Sequence, residues 1–442
     1  MNAAWLRHGF WNTLDHAITR AADAATSVLL LWVLAPELFS LIALSQAWIA
    51  PMLIVFVCPE ITLYREFPTW KAAGRAALRR RLGDIRLFGW SKLGLGLALS
   101  FALGIFTDLP VPTLIWAFVW ALAPQVTGAD REFLRLNLKF TELSFLSLYQ
   151  KATLLGGTWW VVYSSTGSAQ ELGGQFGWQL AGAAFFSLVT SAVLAQWRAS
   201  LLISQVPFTE GSVPKRGETL LASIRNFSTW YHIQGVLMVW ILTMDLWALG
   251  LLGVPGRVTG LYAVGLKISN FAMALPMALT NLYSVWLGRR LVTSKSDDGW
   301  ARETAILRRV CLGIGITSLI QWGVLALLGR WILTILARGR WDAAEIDVVY
   351  GWMHWILAGG VILNISLPIS QWVSLRLPIR QVLTQITVPW TMISLAIYLA
   401  AAIGWGASGV ATANPLVAAT AVLLAIRFMR RFGLAVVKKD VR

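Results

Sequence analysis

The sequence predicts an all-α polytopic membrane protein of about twelve transmembrane helices, arranged as two six-helix lobes. Three observations predict this: a chain poor in charge and rich in apolar residues, apolar runs recurring at membrane-spanning length, and a one-sided distribution of Lys and Arg. Hydrophobic residues make up 57% of the 442 positions and charged residues only 13%, where soluble domains carry about a quarter. The mean hydropathy is +0.65. A hydrocarbon core of about 30 Å needs about twenty apolar residues per helix, and the runs recur at that length. No long polar stretch is left over for a soluble domain.

The predicted spans of the first half are 10–35, 38–59, 87–107, 110–127, 141–164 and 176–196, and those of the second are 226–252, 258–287, 310–329, 345–372, 381–402 and 406–426. Turn signals separate them at Asp108-Leu109-Pro110, Gly173-Gly174 and Gly253-Val254-Pro255-Gly256. Asp15, His16, Arg20 and Asp23 interrupt any signal-peptide core near the start, so the first helix is expected to stay in the mature protein.

With the N-terminus placed in the cytoplasm, the inside loops hold 29 of the 37 Lys and Arg and the outside loops hold only Arg257, Arg338 and Arg340. Positively charged loops stay inside, so both termini are expected in the cytoplasm, across the cytoplasmic (inner) membrane. The formal net charge of +16 is then topological, and no nucleic-acid module accompanies it. The stretch Arg79-Arg80-Arg81, with Arg75 and Arg86, reads as a cytoplasmic amphipathic segment facing anionic headgroups.

The chain also resembles itself. Leu134–Lys139 and Leu375–Arg380 each precede the fifth helix of their half, and Leu38–Ala43 and Val258–Ala263 each open a second helix. Two like-oriented lobes, 1–205 and 206–442, are expected, with a substrate site between them near the midplane.

No enzyme constellation is present. The sequence has no G-x-x-x-x-G-K-[ST], no H-E-x-x-H and no C-x-x-C, and Cys58 and Cys311 lie in or beside apolar runs. Neither a cofactor nor a metal is expected. The short outside loops speak against a membrane polymerase or ligase, which needs a sizeable outer loop for acceptor and catalytic groups.

The functional candidates are ionisable and polar groups inside the spans, because a charge facing hydrocarbon costs about 3 kcal/mol or more. His16, Arg20 and Asp23 share one face of the first helix, and Lys267, Asn270, Asn281 and Ser284 keep a three-four rhythm on the eighth. Arg225 and His232 stand seven apart at the start of the seventh, and Lys92 and Lys151 add cations. These residues fit the wall of a polar, net-cationic cavity, with Arg20, Lys267, His16, Asn270, Asn281, Arg225, His232 and Lys92 as substrate ligands. Each has a structural alternative: Arg20 pairing with Asp23 or His16, the Asn and Ser residues bonding between helices, and Arg225, Lys92 and Lys151 snorkelling to the interface. Asp245 reads first as interfacial. Trp70, Trp90, Trp159, Trp160, Trp341, Trp390 and Trp405, among 25 Trp, read as interfacial anchors.

Four segments carry a family resemblance: Leu34–Ala43, Gly260–Ile268, Ile335–Ala344 and the small-residue run Gly404–Ala413. Together they resemble the multidrug/oligosaccharidyl-lipid/polysaccharide (MOP) exporter superfamily, in particular its Wzx-type polysaccharide flippases. Ala35 and Ser40 depart from that pattern, standing where the family usually has glycines. The resemblance implies a V-shaped bundle with a central cavity opening alternately to each side. It implies a polyprenyl-diphosphate-linked oligosaccharide as cargo, a role in surface polysaccharide export, and membrane lipids, a polymerase and glycosyltransferases as partners. A cationic cavity suits a diphosphate and gives Arg20 and Lys267 a reason to lie at depth. The alternative within the superfamily is a cation-coupled drug or metabolite exporter. Such an exporter usually presents acids to its cargo, and this chain has more deep cations than deep acids.

Overall fold

The computed structural model describes residues 3–164, 172–206, 229–273, 275–276, 279–280, 283, 287, 299–376 and 378–439, without the side chains of some residues within these ranges. Among the described residues there are helices and no strands. This follows from the solvent: hydrocarbon offers no partner to an unpaired peptide group, so each spanning segment satisfies its own backbone.

The helices are α1 Ala3–Val33, α2 Pro36–Met52, α3 Thr62–Ala72, α4 Arg75–Thr107, α5 Val111–Val126, α6 Gly128–Leu136, α7 Phe140–Ser164 and α8 Gln175–Ser204. They continue with α9 Thr229–Ile241, α10 Met244–Leu251, α11 Gly256–Ala272, α12 Gly299–Ala337, α13 Ala343–Arg376, α14 Ile379–Val382 and α15 Val388–Lys439. Among the described residues, seven helical segments are long and apolar enough to cross a membrane, or eight if the pair α9–α10, bent by 63°, forms one broken span. Large apolar side chains such as Phe106 (83% exposed) and Leu327 (83%) stand on the outside, the inverse of a water-soluble surface.

The ends follow local chemistry. Asp108 takes a left-handed conformation at the end of α4 (φ 54°), and Pro110 then caps α5. Pro59 lacks the N–H that a continuing helix needs, and after α2 the chain passes through two short 3-10 turns, Leu53–Val55 and Pro59–Ile61. The segment α15 is two helices fused across a kink at Gly406 (φ 57°, ψ −139°), a conformation open to glycine. The kink falls where the two last predicted spans meet.

Packing divides the chain into two units: 1–34 with 41–236, and 35–40 with 237–442. The division thus falls inside α9, where the sequence reading places it near 205, and a six-residue piece at the start of α2 goes with the second unit. In the first unit α1 packs on α7, α7 on α8, α8 on α5 and α5 on α4. Its base is an apolar cluster containing Phe67, Trp70, Leu78, Ile85, Phe133 and Ile203. In the second unit α13 packs against α15, α12 and α11.

Several sequence expectations are corrected here. Trp70 (4% exposed), Trp341 (7%) and Trp390 (3%) are buried, and Trp390 donates its indole N–H to the Val417 carbonyl at 2.9 Å. They are core, whereas Trp159, Trp160 and Trp405 are exposed. Of the basic stretch only Arg79 and Arg80 are exposed. Arg81 is buried near Asp84, Arg86 grips Asp130, and Arg75 bonds the Ser204 and Val206 carbonyls at the end of α8.

Candidate functional site

In the first unit the acids of α1 meet cations on α6 and α7. Asp15 lies 3.5 Å from Arg131, which also bonds the Ser147 hydroxyl, and Asp23 accepts a hydrogen bond from Lys151 at 2.6 Å. Asp23 thus joins an ion pair between helices, and Lys151 is its partner rather than a snorkelling side chain. Arg86 forks onto both oxygens of Asp130 (3.0 and 3.2 Å), and Arg198 reaches Glu142 at 3.2 Å.

Where α2 ends, a second cluster forms from four segments. Lys92 of α4, 4% exposed, donates to Gln125 Oε1 of α5 at 2.9 Å and lies 4.0 Å from Glu60 Oε2. Its ammonium also sits 5.2 Å from the Phe88 ring centre. Gly128 backs the acid: a Cβ there would stand 3.1 Å from Glu60 Cγ. His232 of α9 is buried, with Nε2 2.9 Å from the Leu53 carbonyl, and near enough to Lys92 to feel its charge. Burial lifts the Glu60 carboxyl above its ordinary value, although Lys92 pulls the other way.

The second unit has a buried polar relay. Asp245, 2% exposed, opens α10 after the bend. It accepts the Tyr262 hydroxyl of α11 at 2.8 Å and the Leu246 N–H at 2.8 Å. Asn414 of α15 donates to the Tyr262 oxygen at 3.2 Å and accepts from Tyr398 at 3.0 Å. Asp245 is thus interior and not interfacial. At the start of α11, Arg257 bonds Glu345 at 2.6 and 2.9 Å and Glu37 at 2.9 Å, and these carboxylates raise its already high pKa further. Behind it a Cβ at Gly260 would collide with the Pro36 carbonyl. Only glycine lets α11 approach the 35–40 piece this closely.

Of the sequence-predicted ligands, Lys92 and His232 share one cluster. Lys267 is half-buried on α11 and Asn270 is exposed one turn on. The side chains of His16 and Arg20 lie outside the described residues, as do Arg225 and Asn281 altogether. Sequence reasoning missed Glu60, Gln125, Asp130 and the Tyr262–Asn414–Tyr398 relay. Glu60 carried one signal, an acid directly after an apolar run at the head of a loop in which Lys and Arg outnumber acids.

No known family profile matches the sequence, and no curated protein does. Solved structures do resemble it. A mutant form of the Vibrio cholerae MATE transporter VcmN superposes with a TM-score of 0.63 at 11% identity, covering 97% of both chains. The lipid II flippase MurJ in an inward closed conformation gives 0.61 at 13%, covering 95% of this chain and 87% of its own. A MOP superfamily transporter from Pyrococcus furiosus, described as having a binding pocket of reverse polarity, gives 0.58 at 12%, covering 96% and 95%. The chain therefore has the fold of the MOP superfamily transporters.

Proposed function

We propose that the protein is a transporter of the cytoplasmic membrane, working by alternating access, that flips a polyprenyl-diphosphate-linked oligosaccharide for surface polysaccharide export. The observation that carries this reading is the state of the acids in the first unit. Asp15, Asp23, Glu60, Asp130 and Glu142 each have a cation within 4.0 Å. A cationic drug entering that unit finds these carboxylates already paired, and in the sequence of the unit Lys and Arg outnumber Asp and Glu. The diphosphate is assigned to Arg20, Lys267, Lys92 and Arg225, with His16 and His232 as further donors. Asn270 and Asn281 are assigned to sugar hydroxyls. The fold shared with a lipid II flippase supports a lipid-linked cargo. Neighbouring polymerase and glycosyltransferases would supply and consume that cargo.

The test is polysaccharide export in cells carrying Lys267→Ala or Arg20→Ala. Both variants should insert in the membrane and fail to export. Normal export by both refutes the assignment. One observation favours the second reading, a cation-coupled exporter: Asp245 is buried and held by a hydroxyl and an N–H. That reading predicts drug sensitivity with unaltered surface polysaccharide when the protein is removed.

A further inference from the structure

The exposed stripe along α4 marks where water gives way to lipid. Arg79 and Arg80 face out near its start, and Leu87, Phe88, Leu95 and Phe101 face out beyond. Lys92 lies five residues past Leu87, about 8 Å deeper at the rise of a helix. An ion pair at that level is stable when hydrogen bonds satisfy the remaining lone pairs and protons. The Arg86–Asp130 pair meets this condition through its two-pronged bond. The Glu60–Lys92 pair does not: Lys92 directs an N–H hydrogen bond to Gln125 Oε1, and Glu60 Oε2 is buried without a hydrogen bond. Glu60 itself is 8% exposed.

We infer that Glu60 is a proton-exchange site, because its carboxylate faces Lys92 across 4.0 Å with no hydrogen bond on the facing oxygen, while Gln125 holds the ammonium. A proton from water forms an O–H bond on the carboxylate, and Lys92 loses its counter-charge. Lys92 is then an uncompensated cation at the apolar boundary, and an anion is its best partner. When the anion leaves, the proton returns to water and Glu60 again neutralises Lys92. Proton and anion therefore favour each other's binding, and by linkage the effect is reciprocal. The groups facing Glu60 are Lys92 from α4, the Cys58 thiol from its own segment and Glu132 from α6, with His232 of α9 acting on Lys92. Glu132 opposes ionisation and so does burial, while Lys92 favours it. The proton site stands on geometry alone; its link to an anion rests on the diphosphate reading above.

Two measurements on the full-length protein in nanodiscs separate these parts. Infrared difference spectra across pH should show a protonated-carboxyl stretch that titrates in the wild type and is missing in Glu60→Gln. In Lys92→Met the band should persist to higher pH than in the wild type, because the carboxylate loses its counter-charge. A band unchanged in Glu60→Gln, or titrating at the same pH in Lys92→Met, overturns the inference. Calorimetry with farnesyl diphosphate in buffers of different protonation enthalpy should then show about one proton taken up per ligand bound, and above the Glu60 pKa affinity should fall about tenfold per pH unit. Glu60→Gln should bind without proton uptake. Equal uptake by wild type and Glu60→Gln overturns the link. No binding of farnesyl diphosphate by the wild type removes the diphosphate reading and leaves the infrared result to decide Glu60.

Discussion

Replacing Tyr262 with Phe removes one oxygen atom and tests the relay that ties α10, α11 and α15 together. The hydroxyl donates to Asp245 Oδ2 at 2.8 Å and accepts from Asn414 at 3.2 Å; Asp245 is buried and Asn414 half-buried. Asp245 keeps the Leu246 N–H, and Asn414 keeps Tyr398 and the Val410 carbonyl of its own helix. One charged and one neutral hydrogen bond are lost, and a buried carboxylate oxygen is stranded. Hydrogen bonds to charged groups are worth about 1.5–3 kcal/mol and neutral ones about 1. Polar contacts in membrane bundles average only about 0.6 kcal/mol because the unfolded chain also finds partners. The expected cost is therefore about 2 kcal/mol. Denaturant unfolding of the purified protein, followed by Trp fluorescence, measures it. Tyr398→Phe, which loses a single neutral bond, should cost about half as much, and Asp245→Asn in the Tyr262→Phe background should recover part of the loss. A Tyr262→Phe protein as stable as wild type would show that the relay does not hold these helices.

The other predictions concern the first unit, the glycine contact and pH. Arg86→Met leaves Asp130 buried without its cation and should cost about 3–5 kcal/mol, and adding Asp130→Leu should recover most of it in the same unfolding assay. Gly260→Val should prevent accumulation of folded protein in membranes, while Gly313→Ala, where an added Cβ meets nothing within 4 Å, should leave it unchanged; immunoblots of membrane fractions report both. Glu60 has a folded pKa raised above its ordinary 4.5. Its contribution to stability is therefore complete below the ordinary value and lost as pH rises through the raised one. Glu60→Gln should flatten the stability profile over that window, and an unchanged slope would contradict the assignment. Lys151→Met strands Asp23 and should lower stability, with Asp23→Asn in the same chain restoring it.

The all-helical, membrane-spanning class was legible because composition and run length report directly on solvent. Turns at Asp108-Leu109-Pro110 and Gly253-Val254-Pro255-Gly256 were legible because left-handed backbone and proline leave a residue signature. The polar partners were not. Asp23 pairs with Lys151, 128 positions later, and nothing in spacing along one helix foretells a partner on another. Asp245 read as interfacial from its distance to the end of the span, but the bend between α9 and α10 carries it inward to Tyr262. The same holds for tryptophan. Trp390 and Trp159 both read as interfacial anchors, yet the first is buried with its indole N–H on the Val417 carbonyl and the second is exposed. Lys92 was legible as a deep cation, while Glu60 and Gln125, which set its state, lie in segments that only the fold brings to it.

The most direct test is transbilayer movement of a purified polyprenyl-diphosphate-linked oligosaccharide in proteoliposomes, read by the accessibility of its sugar to an external lectin. Rapid movement is expected with the wild type, none above empty vesicles with Lys267→Ala, and loss of movement with Arg20→Ala. Wild-type protein that leaves the lipid-linked sugar on its original side while moving a cationic dye across the same vesicles would contradict the flippase reading.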